Sequence, residues 1–240
     1  MSCVAMIFAA GLGTRLYPLT ADRPKALVEV CGKPLLEHVI NKLTSNGFDK
    51  IVINVHHFAD KIISFINDNN FNADIRISDE RQELLDTAGG LKFAEPLFQG
   101  ADNILMYNVD ILSDIDLKKL YQYHVEHGAL ATLAVKRRET SRYFIFDENN
   151  MQLVGWKDIG TGELKKIRDF AAGVDLAFSG IHIVRREILD YIPLGKKFSM
   201  TPLYLDLAGS HTVIAYDHSH DTWCDVGKID VLERLNKCHF

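Results

Sequence analysis

Between the first apolar run and the first helix-like segment the chain reads Gly11-Leu-Gly13-Thr14-Arg15-Leu-Tyr-Pro18-Leu-Thr20-Ala-Asp22-Arg23-Pro24-Lys25. Gly11 and Gly13 let a backbone approach a ligand closely and turn N–H groups toward an anion. Arg15 offers a planar fork that suits phosphate oxygens, and Lys25 a point charge on a flexible stem. Pro18 and Pro24 stiffen the segment, so less entropy is lost when a ligand orders it. Together these residues fit a polyphosphate. Two familiar phosphate loops are excluded. The dinucleotide fingerprint needs a third glycine where Leu16 stands, and a P-loop needs Gly-Lys-Ser/Thr, whereas Gly32-Lys33 is followed by Pro34. Arg23 reads differently, as a surface cation beside Asp22.

Two aspartates extend the pattern. Asp110 closes the apolar run from Ile104 to Val109, which sets a charge at a strand's carboxyl end rather than in the core. Asp225 closes a second short apolar stretch ahead of Gly227. Asp114 and Asp116 suit turn or cap roles, the latter just before a helix. His218-Ser-His220-Asp221 has the residue types of a zinc site, but no further Cys/His set completes it at structural spacing, and it reads as a polar loop. His56, His57, His124 and His127 read as surface or satisfied polar residues.

The elements that must carry these residues follow from periodicity. Runs rich in β-branched and apolar residues at 4–9, 51–55, 75–78 and 104–109 predict strands. Between them, helical spacing appears at Leu35, Leu36, Val39, Ile40 and Leu43, with Pro34 before and Gly47 after, and again near 58–69, 89–98 and 117–127. Such alternation predicts an α/β fold with a mostly parallel sheet covered on both faces. The second half is less regular. Strands are expected at 129–136, 142–146, 176–184 and 213–216, short helices near 185–192 and 202–208, and a last helix with Val231, Leu232 and Leu235 inward. The stretch 155–173, with four glycines and seven charges, is expected to be a mobile loop or flap.

Composition bounds the possibilities. The 240 residues, 47% hydrophobic and 25% charged, suffice for one sizeable core without disulfides. A net charge of −5 gives no global basic field for nucleic acid, so any phosphate site must concentrate its charge locally. Cysteines at 3, 31, 224 and 238 form no close pair, which suits a reduced, cytoplasmic setting. The run from Cys3 to Ala10 is too short to span a bilayer and has no basic residue before it, so it reads as a buried strand, and no membrane role is expected.

The string from Gly11 to Lys25, continuing into Val28-Glu-Val-Cys-Gly32-Lys33-Pro34-Leu-Leu-Glu37, closely resembles the signature of sugar-1-phosphate nucleotidyltransferases, also called nucleotide-sugar pyrophosphorylases. Asp86-Thr87-Ala88-Gly89-Gly90 resembles that family's base-contacting loop, and Phe178-Ser179-Gly180-Ile181 its sugar-site strand. Asn108-Val109-Asp110 and Trp223-Cys224-Asp225-Val226-Gly227 resemble the segments that carry its metal-binding aspartates. The resemblance covers nearly the whole chain. It implies a Rossmann-like three-layer α/β/α fold with a partly antiparallel second half. It implies one catalytic domain over 1–240, with a nucleotide-binding half (about 1–128), a sugar-phosphate-binding half (about 129–240) and no C-terminal accessory domain.

The implied reaction moves a nucleotidyl group from an NTP to a sugar 1-phosphate and releases pyrophosphate. Repulsion between polyanions is then the main obstacle, so positioning and countercharge should dominate catalysis. Arg15, Lys25, Asp110 and Asp225 are the expected catalytic set, with Asp110 and Asp225 holding Mg²⁺, or Mn²⁺ in its place. Nucleotide contacts are expected from Ala10, Gly11, Gly13, Thr14 and Arg15, and from Asp86, Thr87 and Gly89. Base selection should draw on backbone groups near Ala9 to Gly11, with Glu83 and Asp86 as further acceptors; capping is an equal alternative for Asp86 or Thr87. Lys25, Asn108 and Gly180 are the sugar-phosphate candidates.

The chain departs from many relatives in two places. Val109 stands where they carry glycine, and their Glu-Lys-Pro lysine for the sugar phosphate is missing; Lys157, Lys165 and Lys166 are candidate substitutes. The short chain, the Asp-Thr-Ala-Gly-Gly loop and that missing motif look most similar to N-acetylmuramate 1-phosphate uridylyltransferases. Mannose- or heptose-1-phosphate guanylyltransferases and phosphocholine cytidylyltransferases are alternatives, as is a non-catalytic nucleotide- or sugar-phosphate-binding regulator.

Overall fold

Strands and helices alternate through the first half of the protein, whose computed structural model describes residues 3–237. In chain order they are β1 (Cys3–Phe8), the short hairpin strands β2 (Glu29–Val30) and β3 (Lys33–Pro34), α1 (Leu35–Ser45), β4 (Lys50–Val55), α2 (Ala59–Asp68), β5 (Asp74–Asp79), α3 (Asp86–Phe93), β6 (Asn103–Asn108), β7 (Ile111–Ser113) and α4 (Leu117–His127). The second half holds β8 (Ala131–Lys136), β9 (Arg142–Asp147), β10 (Leu153–Asp158), β11 (Glu163–Lys166), β12 (Gly173–Arg185), α5 (Met200–Leu207), β13 (Val213–Asp217), β14 (Trp223–Asp225) and α6 (Ile229–Lys237).

Local chemistry explains where these elements begin and stop. Leu35, Leu36, Val39, Ile40 and Leu43 of α1 are all buried, Pro34 precedes the helix and Gly47 follows in a left-handed conformation. Asp116 caps α4 by accepting from the Lys118 and Lys119 backbone N–H groups, the role its sequence position anticipates. The helix expected at 89–98 instead starts at Asp86 and ends at Phe93. Pro96 has no N–H to donate to the Lys92 carbonyl, so the α-helix stops and Glu95–Leu97 becomes a short 3-10 turn. Arg186–Tyr191 is likewise a 3-10 segment.

One correction is larger. Residues 155–173 are not a structureless flap: β10 pairs antiparallel with β11, and β12 begins at Gly173. All four β11 residues are exposed, so the strand lacks the apolar alternation that would have revealed it.

Among the described residues, β5-β4-β1-β6 form a parallel block of a ten-stranded sheet. Beyond β6 the pairing turns antiparallel through the long strand β12, which meets β9 over its first residues and β8 over its last. Two antiparallel steps bring β8 back to the direction of β6, and β13 pairs parallel with β8. The carboxyl ends of β1, β4, β5, β6, β8 and β13 therefore share one edge, the edge where open α/β sheets bind ligands. Alternation along β1 splits the core into two faces. Ala5 and Ile7 pack with α1, α2, α4 and α6, while Val4 and Met6 pack with α3 and α5.

Cys3, Cys31 and Cys224 are free thiols, and Cys238 lies outside the described residues. No described helix is long and apolar enough to cross a membrane.

Candidate active site

A cleft of about 420 Å³ opens at that carboxyl edge. Ala10, Gly11, Gly13, Thr14, Arg15 and Lys25 form one wall, and Asp86 and Thr87 face them from the start of α3. Asn108 and Asp110 lie at the end of β6, with Gly227 beside them. Most of the expected residues thus surround one cavity.

The glycine loop is shaped by its own side chains. Gly13 sits at φ 66, and its carbonyl accepts from the Thr20 hydroxyl at 3.0 Å. A Cβ there would lie 3.0 Å from both Lys25 Cβ and Thr20 Cγ2, so both conformation and space demand glycine. Fully buried Leu16 pins the following turn to the core, leaving Arg15 exposed toward the cleft. Lys25 is only 8% exposed, and its ammonium pairs with Asp110 Oδ2. Arg23 pairs with Asp22 on the surface, as expected.

The aspartates converge through a second, two-stranded sheet. β14 runs antiparallel to β7 with Asp225 opposite Ile111, and Val226 N–H donates to the Asp110 carbonyl at 2.8 Å. Burial raises the Asp225 pKa, and the Asp110 charge raises it further; Lys25, Arg15 and Arg138 oppose both. Asp225 Oδ1 is buried with no hydrogen-bond partner. A side chain at Gly227 would come within 2.6 Å of that oxygen and 3.0 Å of Arg15 Nη2, so glycine keeps carboxylate and guanidinium close. The result is a knot of two carboxylates and three cations, Lys25, Arg15 and Arg138.

On the base side, Ala9, Ala10 and Gly11 line the cleft, but part of their backbone is already engaged. The Ala9 and Ala10 N–H groups are not free for a base, because both donate to Asn54 Oδ1, at 2.7 and 3.3 Å. Asn54 Nδ2 in turn donates to Glu80 Oε1 at 2.8 Å, and the two residues are 3% and 2% exposed. Burial raises the Glu80 pKa. Sequence reasoning missed this pair, although a polar Asn inside the apolar run Ile51–Val55 was the available signal.

Asp86 has φ 62 and takes the Thr87 N–H locally, while the Thr87 hydroxyl accepts from Met200 N–H at 3.0 Å. Neither side chain therefore caps α3 in the usual way. Instead Ala88 and Gly89 N–H donate to the Phe198 carbonyl, so the segment before α5 straps the base-side loop. That strap carries Lys197 into the cleft wall, an exposed cation that forms no ion pair among the described residues. It too was missed, since nothing in the sequence links position 197 to position 87.

On the other side, Gly180 sits at φ 75 beside the Asn108 amide. The three lysines expected to replace the missing motif do not line the cleft. Lys157 pairs with Asp175 at 2.5 Å, Lys165 with Glu163 at 3.3 Å and Lys166 with Asp169 at 2.6 Å, all on or beside the β10–β11 hairpin. His218 is buried, with Nε2 2.7 Å from Ser179 Oγ, and the described residues contain no cluster of three metal-ligating side chains. His124 is buried too, placed between Thr132 Oγ1 and Asn103 Oδ1, so it is a satisfied polar residue.

Residues 4–238 match the nucleotidyl transferase family. An N-acetylmuramate alpha-1-phosphate uridylyltransferase of Caulobacter vibrioides is 34% identical over 221 residues, covering 88% of this chain and 86% of the relative. A UTP–glucose-1-phosphate uridylyltransferase of Synechocystis is 31% identical over 94% of this chain and 60% of its own length. The solved structure of a UDP-glucose pyrophosphorylase from Acinetobacter baumanii superposes with a TM-score of 0.79 at 16% identity, covering 98% of this chain and 92% of the other, and so shares the fold. By its sequence match, and in keeping with the cleft just described, the chain belongs to the nucleotidyl transferase family, among the sugar-1-phosphate nucleotidyltransferases.

Proposed function

We propose that the protein transfers a uridylyl group from UTP to N-acetylmuramate 1-phosphate in the cytoplasm, giving a UDP-sugar and pyrophosphate. The observation that carries the reaction is the gathering of Asp110, Arg15 and Lys25 in the cleft lining, with Asp225 close enough behind them to feel all three charges. The choice of substrates leans on the uridylyltransferase relative matched over most of both chains. We assign residues before about 129 to the nucleotide and those after to the acceptor.

The donor set fits a hard divalent cation. Asp225 Oδ1 is a buried carboxyl oxygen without a partner, the Asp110 carboxylate is held only by Lys25 among the described residues, and two carboxylates leave room for phosphate oxygens and water. Asp110 and Asp225 would hold Mg²⁺, or Mn²⁺ in its place, which when bound would neutralise phosphate charge.

The chain's own residues do the rest. An acceptor phosphate oxygen attacks the α-phosphorus of UTP, a new P–O bond forms, and the bond to the β-phosphate bridge breaks. The attacking oxygen is already anionic near neutral pH, so no strong general base is needed. Arg15 binds the departing pyrophosphate and stabilises its growing charge. Lys25, whose ammonium pairs with Asp110 in the cleft wall, offers its charge to a phosphate oxygen. Lys197 adds a further positive charge at the cleft wall. The Asn54–Glu80 pair holds the Ala9–Ala10 backbone in place beneath the base.

The test is pyrophosphate release across four NTPs crossed with N-acetylmuramate, glucose, mannose and heptose 1-phosphates and phosphocholine. UTP with N-acetylmuramate 1-phosphate is expected to exceed every other pair by about tenfold or more. A different best pair would replace the substrates and keep the reaction. No turnover by any pair, with an NTP still bound, would make the protein a binding regulator.

A further inference from the structure

Of the cations considered for the incoming phosphate, Lys25 is paired with Asp110 on the glycine-loop side, and the hairpin lysines are tied up elsewhere. Arg138 stands just beyond the carboxyl end of β8, on the same sheet edge as Asp110. Its guanidinium lies 4.4 Å from the centroid of the Trp223 ring, two residues from Asp225. Nη2 donates to the Phe178 carbonyl at 2.9 Å, and Nη1 makes only a long 3.4 Å contact with the Glu139 carbonyl. Nε is buried without a partner. Trp223 is itself fixed by its indole N–H, which donates to the Ser179 carbonyl at 2.9 Å.

These contacts describe a cation that is oriented but not neutralised. Stacking on an indole holds the guanidinium plane, and the carbonyl of Phe178 fixes its rotation. No carboxylate bonds to it among the described residues, although its charge reaches Asp225. Neighbouring Arg137 is different, being exposed and paired with Asp217 at 3.5 Å. A half-buried guanidinium with unused donors is costly unless an anion completes its shell.

We propose that Arg138 receives the phosphate of the acceptor, holding it beside Asp225 from the side opposite the glycine loop. This rests on the nucleotidyl-transfer reading. It assigns to a residue after β8 the phosphate contact that Lys157, Lys165 and Lys166, paired on the β10–β11 side, do not make.

The test compares the wild type with Arg138→Gln and Arg138→Lys, with thermal melting to confirm folding. Arg138→Gln is expected to raise the acceptor KM about tenfold or more and leave the NTP KM within about twofold. Arg138→Lys should fall between, since a point charge keeps attraction but loses the fork. A fall in kcat with both KM values unchanged, or an equal rise in both, would overturn the proposal and leave Arg138 a support for Asp225. If Arg138→Gln fails to fold, Arg138→Lys alone decides by the same split.

A second readout separates this proposal from the reaction itself. In a Trp156→Phe background only Trp223 reports fluorescence, and titration with inorganic phosphate should quench it saturably. Loss of that quench in Arg138→Gln or Arg138→Lys would support the anion site even if no sugar phosphate were turned over. Absence of a saturable quench in the Trp156→Phe protein, or its persistence in the variants, would refute it.

Discussion

Asp225, in the role proposed for it, would work against the fold that holds it. Its carboxyl is partly buried, one oxygen has no partner, and Asp110 adds a like charge nearby. A carboxyl whose pKa is raised in the fold costs stability once it ionises, above its folded pKa. Asp225→Asn should therefore leave the melting temperature at pH 7.5 unchanged or higher, while lowering turnover by about a hundredfold or more. A loss of both stability and activity would mean that Asp225 is chiefly structural. At this scale the sequence was most informative. Gly11, Gly13, Arg15, Lys25 and Asp110 were legible because their spacing has few other uses. Asn54, Glu80, Arg138 and Lys197 were not, because each becomes meaningful only through contacts between distant segments.

At the scale of elements, the first half was legible because buried parallel strands are apolar runs and amphipathic helices keep a 3.6-residue period. The β10–β11 hairpin was not. Its glycines and charges imitate a loop, and an exposed edge strand has no apolar face to report. The β7–β14 pairing was equally hidden, since three-residue strands over a hundred residues apart carry no periodic signal, yet it alone brings Asp225 to Asp110. The glycine loop is the element most exposed to a single change. Gly13→Ala imposes a left-handed backbone on alanine and crowds Thr20 and Lys25. We expect a stability loss of about 1–3 kcal/mol in urea unfolding and a weakened NTP KM. Wild-type stability with wild-type KM would show that the loop can be rebuilt without its present geometry.

At the scale of the whole molecule, buried histidines tie stability to pH. Burial pushes His182 down to about 3 and His124 to about 4, and burial with Lys136 pushes His218 to about 4. These groups stay neutral in the fold but take up protons in the unfolded chain below about 6.5. Stability is thus complete above that pH and is lost as pH falls toward the folded values. His182 bonds with the Tyr204 hydroxyl at 2.6 Å, and its Nε2 has no partner. His182→Gln should reduce the stability lost between pH 7.5 and 5, by at most about 2 kcal/mol in urea unfolding. An unchanged pH slope would mean that His182 is protonated in the fold.

The same scale holds the functional claim, because a chain of net charge −5 binds a polyanion only if one edge of the sheet gathers its cations. That claim is tested most directly by pyrophosphate release from UTP and N-acetylmuramate 1-phosphate, with wild-type protein and folded Asp110→Asn side by side. The account predicts turnover in the wild type and a loss of about a hundredfold or more in the variant. Equal rates in the two proteins would contradict it, because the chemistry would then lie outside this cleft.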